Sequence, residues 1–257
     1  MSNKSVVVVI PARMAASRFP GKPLAKIIDL PMIEHVRRRA LLSKIVDEVY
    51  VATCDKEIMD VVHSFGGKAI MTADNHERCT DRVEEASGNI DADIIVIVQG
   101  DEPLFLPEII EKLAKPIQSE ENIYCTNLLS IIKNYDDFKD TDIVKTVVDN
   151  HNDVMYFSRA SIPYFRVKTE CPVYRQVGIS AFTKNFLSLY TKLAPTSLEI
   201  AESVDFLRIL QHGYKIRGLI FNQQTFGVDR KEDIKKIEDI IRKDPNQNKY
   251  YRRIIKL

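Results

Sequence analysis

Continuously apolar runs alternate with helically spaced ones along the first hundred or so residues. "SVVVVIPA" (5–12) is β-branched and apolar along its middle, the pattern of a strand covered on both faces of a parallel sheet. "PMIEHVRRRALLS" (31–43) sets Met32, Ile33, Val36, Ala40 and Leu41 on one side of a helix. "DEVYVATC" predicts the next strand and "KEIMDVVHSFG" a helix that ends at Gly66. "KAIMTA" is a third strand, "DRVEEAS" a helix, and "ADIIVIVQGDEP" another apolar strand running into a polar turn. Strand–helix alternation at this short spacing predicts a doubly wound α/β sheet.

The pattern changes after about residue 122. "NIYCTNLLSII", "DIVKTVVDN", "DVMYFSRASIP" and "YRQVGISAFT" predict strands without long helices between them, a mixed or antiparallel extension of the core. Helices return in "NFLSLYTKL" and "LEIAESVDFLRILQHG", "IRGLIFN" is a strand, and "RKEDIKKIEDIIRK" is a helix of the core. The expected organisation is one α/β domain over 1–244, with 123–215 as the extension. The polar, then basic, segment 245–257 is expected to be a poorly packed tail, with a partner-binding strand as the alternative.

Composition narrows the functional classes. A chain of 257 residues, 45% apolar, suits one large soluble α/β domain or two small ones. A net charge of +1 gives no global basic field for nucleic acid, so any basic function is local. Cys54, Cys79, Cys125 and Cys171 are scattered, a poor zinc site and a poor disulfide framework, so a reducing cytoplasm fits best. The run "VVVVI" is too short for a signal segment or a membrane span.

Candidate chemistry gathers where ligands of open α/β sheets bind, outside the C-terminal ends of strands. Three such places carry unusual residues: Arg13 to Lys22, Gln99 to Pro103, and Gly227 to Asp229. Arg13, Arg18 and Lys22, with Ser17 and the "PGKP" turn, form a basic loop after a buried strand, a means of holding a polyphosphate. The alternative is a solvated charged loop. Asp101 in "VQGDEP" and Asp229 in "FGVD" supply two carboxylates for a hard cation such as Mg²⁺, which takes one or two carboxylates plus phosphate oxygens. The alternative for Asp101 is a turn residue or helix cap.

Together "IPARMAASRFPGKPL", "VQGDEP", "YFSRASIP" and "GVD", followed by "ED", resemble the 3-deoxy-manno-octulosonate (KDO) cytidylyltransferases over roughly residues 5–240. The resemblance implies a Rossmann-like nucleotidyltransferase core with a mixed-sheet extension that forms a homodimer. It implies CMP transfer from CTP to the anomeric hydroxyl of an acidic sugar, with release of pyrophosphate, in surface-polysaccharide synthesis. Carried over by residue, Ala12, Arg13, Ser17, Arg18, Lys22, Thr80, Arg82 and Gln99 would meet the nucleotide. Asp101 and Asp229 would hold Mg²⁺, and with Arg13 and Lys22 would carry catalysis. Gln99, Arg159, Gln176, Ser180, Glu199, Glu202 and Asp205 would face the acceptor, although a structural salt bridge is the alternative for Arg159.

The chain departs from the family pattern in two places. The family's "H-x-SGT-[ED]-R", which lines the cytosine pocket, is "HERCTDR", so Arg78 and Cys79 replace Ser and Gly while Thr80, Asp81 and Arg82 remain. A covalent role for Cys79 is not expected, because the family's transfer needs no covalent step. On the acceptor side His becomes Gln176 and Tyr becomes Ser180, while Glu becomes Asp205 and Gln becomes Phe206. Losing readers of sugar hydroxyls points to a changed acceptor, because a site built on hydrogen bonds discriminates strongly. The open alternatives are an amino-sugar acid, a phosphate- or phosphonate-bearing metabolite, and a catalytically silent nucleotide-binding regulator.

Overall fold

The computed structural model describes residues 4–15, 18–222 and 225–257, which divide into two compact units, Met1–Lys112 with Thr225–Leu257, and Leu113–Gln224. The first unit opens with β1 (Val6–Ala12), buried along its whole length, as its apolar run requires. A 3₁₀ turn (Lys22–Leu24) and a short hairpin of β2 (Lys26–Ile27) and β3 (Leu30–Pro31) lead into α1 (Met32–Ala40). Then come β4 (Glu48–Thr53), α2 (Lys56–Ser64), β5 (Lys68–Met71), α3 (Cys79–Ser87) and β6 (Ile94–Val98). The four long strands are parallel, in the order β5-β4-β1-β6. Strand order therefore reverses between β1 and β6, the switch point where open α/β sheets place ligands.

The chain passes through α4 (Glu108–Ser119) into the second unit. There β7 (Cys125–Ile131), α5 (Tyr135–Lys139), β8 (Lys145–Val148), β9 (Val154–Ser158) and β10 (Tyr174–Thr183) are followed by α6 (Lys184–Lys192), α7 (Ser197–Glu202), α8 (Phe206–Gln211) and β11 (Arg217–Phe221). The pairing is mixed: β11 runs parallel to β7, whereas β7–β10, β10–β8 and β8–β9 are antiparallel. The segment 198–213, expected as one helix, breaks where Ser203 adopts a left-handed conformation (φ 51°) between α7 and α8. Phe206 then packs edge-on against Phe157 and Phe182 in an aromatic core.

The chain returns to the first unit for α9 (Asp233–Lys243) and α10 (Pro245–Ile254). The second of these corrects the expected loose tail. Asp244 caps α10 by accepting from the Gln247 amide, and Ile254 is fully buried. Tyr251 stacks on His35 and donates to Asp29, while Gln247 donates to the Leu104 carbonyl. The tail's polar composition hid this because α10 covers a polar face. Every residue of α1 is buried, including Glu34, His35 and the run Arg37–Arg39. Arg37 and Arg38 both bond Glu34, Arg38 also donates to the Ile254 carbonyl, and Arg39 lies over the Tyr250 ring. No helix among the described residues is long and apolar enough to cross a membrane.

Candidate active site

The C-terminal ends of β1 and β6 open on a cavity of about 310 Å³ within the first unit. Three chain segments build it. The first is the loop after β1, which carries Arg13, Arg18 and Lys22 to the cavity wall. Its start is pinned where the Met14 amide donates to Asp55 Oδ2, at 2.7 Å. Its end is closed where the Gly21 amide donates to the Met14 carbonyl, with Gly21 in a left-handed conformation (φ 75°) that favours glycine.

The second segment is the "QGDEP" turn after β6. Gly100 lets it lie against β1, since a Cβ there would sit 3.1 Å from the Pro11 carbonyl oxygen. The third, residues 227–229, was expected to follow a strand directly. It is instead a loop well beyond β11 that folds back to the turn. The Val228 amide donates to the Asp101 carbonyl, and Asp233 fixes the following amides of Asp229 and Arg230. Lys22 ties all three segments together: its Nζ is 2.7 Å from Asp101 Oδ2 and 2.9 Å from the Val228 carbonyl oxygen. Arg18 meets Asp229 at 3.1 Å on the exposed rim.

Helix α3 supplies the remaining wall through Cys79 and Arg82, together with the preceding His76, Glu77 and Arg78. Gln99 at the end of β6 donates from Nε2 to Cys79 Sγ at 2.9 Å. Arg82 is 3% exposed, bonds Thr72 and the Ala73 carbonyl, and leaves Nη2 unpartnered, a buried donor at the cavity wall. Five cationic side chains therefore line the cavity, against the carboxylates of Glu77, Asp101 and Asp229. That balance suits a polyanion, whose charge the guanidinium forks and ammonium meet directly.

The expected nucleotide residues Ala12, Arg13, Arg18, Lys22, Arg82 and Gln99 come together here, as do Asp101 and Asp229. Thr80 is buried in the first turn of α3 and is not part of the cavity lining, and Ser17 lies outside the described residues. Phe19, His76 and Gly100 lie within segments the sequence singled out but were given no role there, and the loop-pinning Asp55 was not marked at all. Asp55 had a signal, an acidic residue directly after the "VATC" strand end.

The expected acceptor residues other than Gln99 all lie in the second unit. Glu199 does not fit that role: its carboxylate is buried, clasped by Arg208 Nε and Nη2 at 2.8 and 2.6 Å, and accepts from the Thr196 amide. Glu202 and Arg159 are bound to each other, since the Arg159 amide donates to the Glu202 carboxylate and Arg159 Nε to the Glu202 carbonyl. Glu202 also accepts from Ser158 Oγ; burial pushes its pKa up, but the bonds its carboxylate takes from Ser158, the Arg159 amide and Tyr156, with the Arg159 charge, hold it below the usual carboxylate value. Phe206, expected at a sugar-reading position, is instead core. Gln176 and Ser180 flank an irregularity in β10 that Asn127 bridges by donating to the Val177 and Ile179 carbonyls. Asp205 precedes α8 and is half-buried.

Two carboxylates on one wall, each held by a cationic side chain, are hard oxygen donors of the kind Mg²⁺ takes alongside substrate phosphate. Among the described residues no cluster of three or more His, Cys, Asp or Glu is suited to a metal, so such a site would be completed by the ligand.

Comparison with known proteins gives this geometry its context. The cytidylyltransferase family model matches residues 7–216. The 3-deoxy-manno-octulosonate cytidylyltransferase of Geobacter metallireducens is 41% identical over 243 residues, covering 90% of this chain and 96% of that protein. The 8-amino-3,8-dideoxy-manno-octulosonate cytidylyltransferase of Shewanella pealeana is 42% identical over 235 residues, covering 90% and 96%. Among solved structures, a CMP:2-keto-3-deoxy-manno-octonic acid synthetase complexed with CTP superposes with a TM-score of 0.89 at 38% identity, covering 93% of this chain and 99% of that one. A fold-level likeness extends to a Bacillus anthracis protein described as a glucose-1-phosphate thymidylyltransferase, with a TM-score of 0.67 at 15% identity. With a parallel sheet whose switch point opens on a cation-lined cavity and a family match over most of its length, the chain belongs to the cytidylyltransferase family and is a CTP-dependent nucleotidyltransferase.

Proposed function

We propose that the enzyme transfers CMP from CTP to the anomeric hydroxyl of a 2-keto-3-deoxy sugar acid, either KDO or its 8-amino analogue, and releases pyrophosphate. The observation that carries this reading is the cavity between β1 and β6, where Arg13, Arg18, Lys22 and Arg82 converge with Asp101 and Asp229. The acceptor oxygen attacks the α-phosphorus and the pyrophosphate leaves in line. Arg13, Arg18 and Lys22 offset the charge that builds on the departing group. Mg²⁺, held by Asp101 and Asp229, would polarise phosphate oxygens and lower the pKa of the acceptor hydroxyl. At the cavity itself the acceptor-facing residue we propose is Gln99, with a homodimer as the working assembly.

The amino-sugar acceptor is the second reading, favoured by the two relatives of nearly equal identity that carry the two different acceptor names. Pyrophosphate release from CTP and Mg²⁺ is measured with each sugar acid offered singly. Release with one or both is the expected result. CTP binding without release from either sugar would overturn the acceptor assignment and favour another acidic acceptor or a silent regulator.

A further inference from the structure

The contact between Cys79 and Gln99 joins the first residue of α3 to the end of β6 at the cavity wall. A primary carboxamide has a donating end and an accepting end, and a half-turn about its last side-chain bond exchanges them. Here one N–H of Nε2 is given to Cys79 Sγ at 2.9 Å, which sets the orientation of the amide plane. Gln99 then offers a ligand its second N–H and, held in a fixed direction, its carbonyl oxygen. The surrounding wall makes that end scarce. Among the described lining residues Gln99 carries the one neutral carboxamide, and the charged lining is dominated by arginine and lysine, which only donate. Asp101 and Asp229 are already engaged by Lys22 and Arg18, so Glu77 is the further carboxylate that the described lining offers besides the Gln99 carbonyl oxygen. A nucleotide's phosphates find many donors in such a cavity, while its own donors find few acceptors.

We propose that Cys79 is a positioning residue: by accepting the Gln99 amide proton it fixes the Gln99 carbonyl oxygen as the hydrogen-bond acceptor for a donor on the bound nucleotide. This rests on the reading that the cavity holds CTP. Two groups of CTP have the required chemistry, the 4-amino group of the base and a ribose hydroxyl. The thiol is half-buried and sits at the wall of the cavity rather than in the protein core, so its replacement leaves the fold intact.

The test is equilibrium binding of CTP, UTP and 2′-deoxy-CTP to the wild type, C79A, C79S, Q99A and C79A/Q99A, alongside steady-state kinetics with CTP. C79A is expected to weaken CTP binding roughly fivefold, the scale of one net hydrogen bond. KM for CTP should rise while kcat holds, which a purely structural defect would not produce. C79S should restore binding, because a hydroxyl oxygen accepts the same proton. In the Q99A background C79A should add nothing. The analogue that lacks the relevant donor should be insensitive to C79A: UTP if the base amino group is the partner, 2′-deoxy-CTP if the ribose hydroxyl is. Wild-type affinity in C79A, or effects of C79A and Q99A that multiply, would overturn the proposal. A wild-type protein that binds no CTP would instead overturn the nucleotide reading beneath it, an outcome visible before any variant is compared.

Discussion

Asp101 concentrates the chemistry that single residues carry. Its side chain is about a third exposed at the cavity, and its carboxylate meets Lys22 while its carbonyl holds the Val228 amide. Replacing it by Asn keeps the backbone bond and the side-chain shape but removes the charge. D101N should therefore lose pyrophosphate release by at least about a hundredfold, the scale of one removed electrostatic contact to a transition state. It should lose less than about 1 kcal/mol of stability, because Asp101 is about a third exposed and Lys22 keeps the Val228 carbonyl. Rates and denaturation midpoints measured on the same preparation check both halves, and near-wild-type turnover would sink the metal assignment. At this scale the donor side was legible: strand-end position and an excess of one charge type mark Arg13, Arg18, Lys22 and Asp101 without any structure. Glu199 was not legible, because a short run of sequence cannot show that Arg208 folds back onto it. Phe206 was misplaced for a related reason, since the break at Ser203 turns its side chain's helix into an aromatic core.

Among the elements, the lesson lies in α1 and α10. The apolar spacing of α1 was legible, but nothing in the sequence marks its other face, with Glu34, His35 and three arginines, as buried. Those charges are buried because α10 covers them, and α10 was illegible because its own apolar contribution reduces to Ile254 and two tyrosine rings. A packed α10 predicts that I254A costs about 2–5 kcal/mol, as for other buried Ile truncations. A loose tail predicts no change, and chemical denaturation separates the two. The same interface makes stability pH-dependent. Burial against Tyr251 pushes the His35 pKa down to about 4 from 6.5, with Arg38 and Arg39 adding to the effect and the Ile27 carbonyl and Asp29 opposing it. Above pH 6.5 the ring is neutral folded and unfolded, so it adds no slope. Between pH 6.5 and 4 the unfolded chain takes up a proton that the folded chain refuses, so stability falls as pH falls, by up to about 1.4 kcal/mol per pH unit. H35Q keeps a donor toward the Ile27 carbonyl and cannot titrate. Its stability should be flatter than wild type from pH 6.5 to 5, and equal slopes would remove His35 as the cause.

Over the whole molecule the charge is nearly balanced, +1 in 257 residues, whereas the cavity sets five cationic side chains against three carboxylates, two of which are paired. Lys22 neutralises Asp101 and Arg18 neutralises Asp229, so the groups that would bind phosphate and the groups that would bind metal hold one another. A cation therefore finds both carboxylates paired, and a triphosphate finds Lys22 and Arg18 paired. A triphosphate that takes Lys22 and Arg18 releases two carboxylates, and a cation on those carboxylates releases the two basic side chains. Each ligand should then strengthen the other, by the same factor in both directions. Calorimetric titration of Mg²⁺ into the ligand-free enzyme should show weak binding or none, and titration in the presence of saturating CTP should show at least about tenfold tighter binding, or about 1.4 kcal/mol of coupling. Metal bound by free CTP is measured in a blank and subtracted. Lys22→Met sharpens the test, because it leaves Asp101 without its cation. Mg²⁺ affinity of the ligand-free variant should rise while CTP affinity falls, two changes of opposite sign that a damaged fold would not give. Equal Mg²⁺ affinity with and without CTP in the wild type would show that the paired side chains do not compete with the ligands, and the two carboxylates would then need another role.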